Sequence, residues 1–146
     1  MQQLQIKKLT KSATSPTRAT VGSAGYDLYA DIVDAVTIQP NQTMKIGTGI
    51  AIGLESADVV ALVYARSGLA TKHGITLTNC VGVIDSDYRG EIIVSLINLG
   101  KDAYTISPSE RIAQMVLTPI LLPVLIEVDE LDETTRGIGG HGSTGK

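Results

Sequence analysis

Apolar and polar residues alternate in short runs along this chain, and nowhere does apolar spacing hold a 3.6-residue period for three turns. Leu4 and Ile6 alternate with Gln5 and Lys7. Met44, Ile46, Thr48, Ile50 and Ile52 alternate with Lys45, Gly47, Gly49, Ala51 and Gly53, a two-residue period across ten positions. Segments 59–65, 75–78, 81–84, 91–98, 103–106 and 112–120 continue the strand-like pattern. Between them lie turn residues: Pro40-Asn41, the 85–90 segment, Leu99-Gly100-Lys101-Asp102 and Ser107-Pro108-Ser109. At most one short helix is expected, after Arg66 or elsewhere in a loop. Strands recurring every ~8–12 residues predict an all-β sandwich or barrel of jelly-roll type.

Two stretches stand apart from this body. Residues 11–20 are polar and read as a surface loop. Residues 132–146 are polar and glycine-rich and cannot pack a core alone. The chain therefore divides into a β core, 1–131, and a tail, 132–146. Such a tail reads either as a disordered end or as a strap that orders over a ligand, with Arg136 as its charged hook.

Composition narrows the function classes. With 146 residues, one domain is expected. The abundance of Val, Ile and Thr, with no Phe or Trp, favours pleated sheet. A single Cys excludes a disulfide framework and an all-cysteine metal site. The net charge of −3 gives no footprint for nucleic acid or a membrane surface. No apolar run reaches the ~18 residues of a membrane span, and residues 1–5 lack the basic start and apolar stretch of a secretory signal. A soluble cytoplasmic or nuclear protein is expected.

Candidate chemistry sits on loops. Four of the five arginines (Arg66, Arg89, Arg111 and Arg136) lie beside glycines or compact polar groups. Singly, each reads as a surface residue or a structural ion pair. Together, on an acidic protein, their planar donor forks suggest a small polyanionic ligand. Arg66-Ser67-Gly68 follows an apolar strand, where backbone N–H groups and a hydroxyl can hold a phosphate. The 85–90 segment, Asp-Ser-Asp-Tyr-Arg-Gly, starts like a calcium loop, but Arg89 and Leu96 stand where oxygen ligands are required. What remains is a hairpin tip with a turn-forming or base-forming Asp85 and an aromatic ring at Tyr88. Residues 140–146 satisfy the Gly-x-x-x-x-Gly-Lys part of a nucleotide-binding loop but lack the following Ser or Thr and helix, so that assignment fails. Neither histidine, His73 or His141, sits in a zinc or nucleophile setting.

Five segments appear in order: 24–28 (Ala-Gly-Tyr-Asp-Leu), 65–69 (Ala-Arg-Ser-Gly-Leu), 82–91 (Gly-Val-Ile-Asp-Ser-Asp-Tyr-Arg-Gly-Glu), 110–115 (Glu-Arg-Ile-Ala-Gln-Met) and 136–145 (Arg-Gly-Ile-Gly-Gly-His-Gly-Ser-Thr-Gly). This set, spanning nearly the whole chain, resembles the trimeric deoxyuridine triphosphatases. The stretch from Ala13 to Arg18 resembles the family's eukaryotic and viral branch. The resemblance implies a jelly-roll-like β fold and a homotrimer with sites at subunit contacts. Each site would take its second and fourth motifs from one chain, its third from a neighbour and its fifth from the remaining tail. It also implies the reaction dUTP plus water to dUMP plus pyrophosphate, which keeps uracil out of DNA and supplies dUMP for dTMP synthesis, with Mg²⁺ held mainly on the triphosphate.

By the same carry-over Asp85 is the base that deprotonates the attacking water, and Tyr88 packs on the deoxyribose, where it would clash with a 2′-hydroxyl. Asn79 and the backbone of Gly82, Val83 and Ile84 would read uracil. Arg66, Ser67, Gly68, Gln114 and Arg111 would meet the phosphates, with Arg111 serving as much in an ion pair. Asp27 would touch the magnesium through water. Arg136, Gly140, His141, Gly142 and Ser143 would close over the substrate. His141 departs from the usual Phe; an imidazole is smaller and titrates near neutrality, so part of a stacking energy of ~1–3 kcal/mol would be missing. Rival readings are a dCTP deaminase, which should carry a deaminating Glu and a different third motif, and a nucleotide-holding regulatory trimer, against which Asp85 and Arg136 speak.

Overall fold

The computed structural model describes residues 3–140. Among these residues eleven strands form four small antiparallel sheets, with one short helix between the sixth and seventh strands in chain order. The largest is built on β11 (Arg111–Pro119), which pairs with β2 (Tyr26–Tyr29) on one side and β6 (Val59–Ala65) on the other. β6 in turn pairs with β8 (Gly82–Ile84). A second sheet places β9 (Ile93–Asn98) between β4 (Thr43–Gly47) and β7 (Ile75–Leu77). β1 (Leu4–Lys8) pairs with β5 (Ile50–Leu54), and β3 (Val36–Ile38) with β10 (Tyr104–Ile106). The all-β expectation holds.

The core is aliphatic, as a chain without Phe or Trp requires: Leu28, Ile46, Ile75, Leu96, Ile112 and Met115 are among its fully buried side chains. Alternation explains β9, where Val94, Leu96 and Asn98 face inward and Ile93 outward. The ten-position alternation beginning at Met44 is not one strand. It breaks at Thr48-Gly49, where Gly49 takes φ +63° and Thr48, fully buried, donates from Oγ1 to Ile92 O at 2.7 Å. Two strands, β2 and β3, lie where no alternating run was apparent. The 11–20 loop is exposed for most of its length, but Ala13 is buried and Thr17 O accepts from Asp27 N at 2.8 Å, so the loop is tied to β2.

The helix α1 (Ser67–His73) follows Arg66, as one expected placement had it. Gly74 ends it in the left-handed conformation (φ +71°), and a Cβ there would lie 2.3 Å from Gly100 N, so only glycine fits. Residues 121–140 contain no strand and are almost wholly exposed. Leu121, Leu122, Val124, Leu125, Ile126, Val128 and Leu131 all face solvent in the single chain.

Asn98 is a fully buried clasp between strand ends. Its amide donates to Ile38 O and Asp102 O, both at 2.9 Å, and its Oδ1 accepts from Gly100 N at 2.8 Å. Asn98→Ala leaves three backbone groups without partners and is expected to cost about 2–4 kcal/mol, read by urea denaturation. A loss within a few tenths of a kcal/mol contradicts the clasp.

Tyr104 donates from Oη to Glu110 Oε1 at 2.5 Å and packs against His73 with ring centroids 4.7 Å apart and the planes tilted by 47°. Its pKa is raised to about 12, first by burial and then by the hydrogen bond and charge of Glu110, against a smaller opposing effect of Arg66. A raised folded-state pKa means the neutral ring stabilises the fold below the unfolded value near 10, and that contribution is lost as pH climbs toward 12. Tyr104→Phe should lower neutral-pH stability by about 1 kcal/mol and flatten the alkaline decline between those two values, measured by denaturant titration at several pH values. An unchanged alkaline limb contradicts the assignment.

Candidate active site

The large sheet brings three distant polar residues together. Asp27 stands on β2, Arg66 at the junction of β6 and α1, and Arg111 at the start of β11. Arg66 Nε donates to Asp27 Oδ1 at 2.9 Å and Arg111 Nη1 to Asp27 Oδ2 at 3.1 Å. Arg66 Nη1 also reaches Arg111 O at 3.3 Å. These are the two ion pairs among the described residues, and they share one carboxylate. Two guanidinium charges against one carboxylate leave the cluster net positive, in a protein whose overall charge is −3.

Strand register explains what surrounds the cluster. On β11, Gln114 pairs with Asp27 of β2 and with Tyr64 of β6, so the three lie in one row across the sheet. Gln114 Nε2 donates to Ala65 O at 3.0 Å. Its Oε1 lies over Gly25, where a Cβ would stand only 2.7 Å away, so the absence of a side chain at 25 admits the glutamine. A cavity of about 440 Å³ opens here, lined among others by Gly25, Asp27, Tyr64, Arg66, Ser67, Gly68, Arg111 and Gln114. Guanidinium forks, a hydroxyl at Ser67 and a carboxamide in an open polar cavity are a donor set for phosphate oxygens.

The third motif forms a separate place. After β8, Tyr88 N donates to Asp85 O at 3.1 Å, closing a turn, and Arg89 Nη1 caps Ser86 O (2.7 Å) and Tyr88 O (2.9 Å). Tyr88 Oη donates to Glu91 O at 2.9 Å, and its ring lies so close over Gly90 that a Cβ there would meet the hydroxyl. A cavity of about 190 Å³ is lined by Val83, Ile84, Asp85, Tyr88, Glu91 and Ile93. Asp85 is exposed, as is Asn79, whose carbonyl accepts from Val81 N at 2.6 Å beside Cys80 in a left-handed conformation. The two cavities share no lining residue.

Of the tail residues, Arg136 turns on itself, donating from Nε to Gly139 O at 2.8 Å, and Gly140 is exposed. His141, Gly142 and Ser143 lie outside the described residues. The sequence thus pointed to residues that the fold gathers in two groups: Asp27, Arg66, Ser67, Gly68, Arg111 and Gln114 in one, and Val83, Ile84, Asp85 and Tyr88 in the other. It did not single out Tyr64 or Glu91. The signal for Tyr64 is its position two residues before Arg66 on the same strand face. Glu91 carries no such mark, because its partner, Gly49, is far away in sequence. His73 belongs to packing against Tyr104 rather than to either cavity.

Among the described residues no group of three or more His, Cys, Asp or Glu side chains could hold a metal ion. A cation carried on phosphate oxygens needs no such cage, and one carboxylate, Asp27, lines the larger cavity where it could be met through water. No helix among the described residues is long and apolar enough to cross a membrane.

The chain is similar to known proteins in both sequence and fold. The family model described as dUTPase matches residues 11–145. A deoxyuridine 5'-triphosphate nucleotidohydrolase of Desulfitobacterium hafniense is 53% identical over 135 residues, 92% of this chain and 89% of that one. The dUTPase of Staphylococcus bacteriophage 80alpha, solved with dUPNHPP, superposes with a TM-score of 0.88 at 28% identity, covering 99% of each chain. A point mutant of the dUTPase from phage phi11 of S. aureus, described as coordinating a structural Mg(II) ion, gives 0.80 at 25% identity, over 90% of this chain and 99% of that one. These relatives are bacterial and phage proteins, and they define the family without dividing it into branches. A family match over residues 11–145, with a 53% identical relative covering 92% of the chain, makes this chain a member of the dUTPase family.

Proposed function

We propose that this protein, which as a dUTPase hydrolyses dUTP to dUMP and pyrophosphate, works as a homotrimer whose sites are shared between chains. The observation that carries the reading is the Asp27–Arg66–Arg111–Gln114 cavity, a donor set suited to phosphate oxygens, which Asp85, the base that the motif resemblance implies, does not line. A site that needs both groups is completed when a neighbouring copy delivers its third motif.

In this reading Arg66, Ser67, Gly68 and Gln114 grip the phosphates and Arg111 adds charge while holding Asp27; Asp27 would help hold, through water, a magnesium ion carried on the triphosphate, which would supply charge neutralisation. Asn79 and the backbone of Gly82, Val83 and Ile84 hold the uracil edge, where a thymine methyl would collide. Tyr88 lies on the deoxyribose. Asp85 takes a proton from water, whose oxygen bonds to the α-phosphorus as the bond to the α,β-bridging oxygen breaks and pyrophosphate leaves. Phosphoryl chemistry of this kind depends on positioning and charge stabilisation more than on covalent catalysis. A positioned base supplies about 10²–10⁴-fold, so the guanidinium donors and exclusion of water contribute the rest.

Exclusion of water falls to the tail, 132–146, with Arg136, Gly140, His141, Gly142 and Ser143 closing over the substrate at a cost in ordering that ligand contacts offset. The exposed apolar run from Leu121 to Leu131 supports assembly, because a solvated row of this kind marks a protein contact. Neither nucleic acid nor a membrane is a partner, and the enzyme acts in the cytoplasm or nucleus.

Asp85→Asn removes the base while keeping its shape. Pyrophosphate release from dUTP is expected to fall about 10²–10⁴-fold, with affinity for a non-hydrolysable dUTP analogue within about threefold of the parent. Retained turnover would sink the role given to Asp85, and ammonia release from dCTP by the parent enzyme would favour the deaminase instead.

A further inference from the structure

Glu91 closes the third motif, and it is joined to the rest of the protein at both its ends. Its main-chain oxygen accepts the Tyr88 hydroxyl at 2.9 Å, and its side-chain Oε1 accepts from Gly49 N at 2.8 Å, 42 residues away in sequence. The carboxylate lies in a notch left by two glycines. A Cβ on Gly47 would stand 2.6 Å from Oε1, and Gly49 adopts φ +63°, which turns its N–H toward the carboxylate.

That notch belongs to the packed body. Gly49 O accepts from Leu9 N at 2.8 Å, and Gly47 O accepts from Asp31 N at 2.9 Å. Ile92, the next residue after Glu91, is bonded on both sides: its N–H donates to Ile50 O at 2.8 Å, and its carbonyl accepts the Thr48 hydroxyl at 2.7 Å. Tyr88, by contrast, stands on an exposed turn. Its other polar contacts stay within that turn, to Asp85 and Arg89, so they move with it. Among the described residues, the hydroxyl bond to Glu91 O is the hydrogen bond that refers the ring to the body of the protein. Among the described residues no cation pairs with Glu91, so its half-buried charge is spent on this one backbone N–H.

We infer that Glu91 is a positioning residue for Tyr88 and thereby sets the discrimination between deoxyribose and ribose, an inference that rests on the sugar-facing role proposed for Tyr88 above. Steric rejection of one added hydroxyl requires the rejecting ring to stay in place within a fraction of an ångström, since a ring that yields admits the larger sugar. The tie from Glu91 to Gly49 supplies that stiffness.

The test compares kcat/KM for dUTP and for UTP, and Tm, in the full-length parent and in Glu91→Ala, Glu91→Gln and Gly47→Ala. Gly47→Ala leaves Glu91 in the chain but pushes its carboxylate off Gly49, so it stands in should Glu91→Ala fold poorly. Glu91→Ala and Gly47→Ala should each reduce the preference for dUTP over UTP by about tenfold, chiefly by raising the UTP rate, with kcat for dUTP within about threefold of the parent. Glu91→Gln keeps an oxygen acceptor at the same place and should restore the parental preference. A preference unchanged in both disrupting variants, even with a lowered Tm, overturns the inference and leaves dUTP hydrolysis standing. Glu91→Gln proving as permissive as Glu91→Ala overturns it as well. A parent enzyme that does not cleave dUTP removes the proposed function and this inference together.

Discussion

One carboxylate holds the cavity at the Arg66 end of the large sheet in shape. Asp27 accepts from guanidinium groups that stand 39 and 84 residues further along the chain, one at the end of β6 and one at the start of β11. Two like charges that close together repel, and in water each would find its own solvent shell. A largely covered carboxylate between them, with a side-chain exposure of 14%, neutralises that repulsion and fixes both forks at one end of the sheet. Solvent-exposed ion pairs contribute little to stability, and Arg111 remains about half exposed, so the value of this arrangement lies in placement rather than in folding energy. The consequence is an excess of positive charge with fixed geometry, suited to a polyphosphate.

The surrounding strands make that meeting possible. The pairing of β11 with β2 and β6 brings Asp27, Gln114 and Tyr64 into one row, and glycine at 25 leaves room for the glutamine. The third motif is organised by a different device, a self-capped turn whose aromatic ring is pinned over Gly90 and tied through Glu91 to the corner at Gly49. Each group of candidate residues is therefore held by its own set of contacts, and the two groups occupy separate cavities of one chain.

The grouping of the candidate residues was legible in the sequence where the motifs are local: Arg66-Ser67-Gly68 and the 82–91 segment each keep their candidate residues within a few positions of one another. The strand class was legible for the same reason, since a period of two needs only neighbours. What escaped depends on distant partners. β3 has three residues, too few to show a period, and β2 was visible as a motif before it was visible as a strand. The long alternation from Met44 ran straight through the corner at Thr48-Gly49, because a buried threonine bonded to Ile92 O looks in sequence like any other strand position. Glu91 gave no sign of its bond to Gly49. The apolar residues between Leu121 and Leu131 fall inside the expected core, 1–131, yet face solvent in the single chain, because the boundary was drawn from the polar tail alone.

Separate cavities with complementary chemistry lead to the central claim, that a working site joins Asp85 of one chain to Arg66 of another. The most direct measurement pairs two disabled chains. Differently tagged Asp85→Asn and Arg66→Gln chains are co-expressed, the mixed assemblies are isolated through both tags, and pyrophosphate release from dUTP is compared with that of each variant alone. A shared site predicts activity in the mixed assemblies well above either parent variant, because some sites then combine an intact aspartate with an intact arginine. Mixed assemblies as inactive as their parents, or full activity in a protein that sediments as a monomer, would contradict the account.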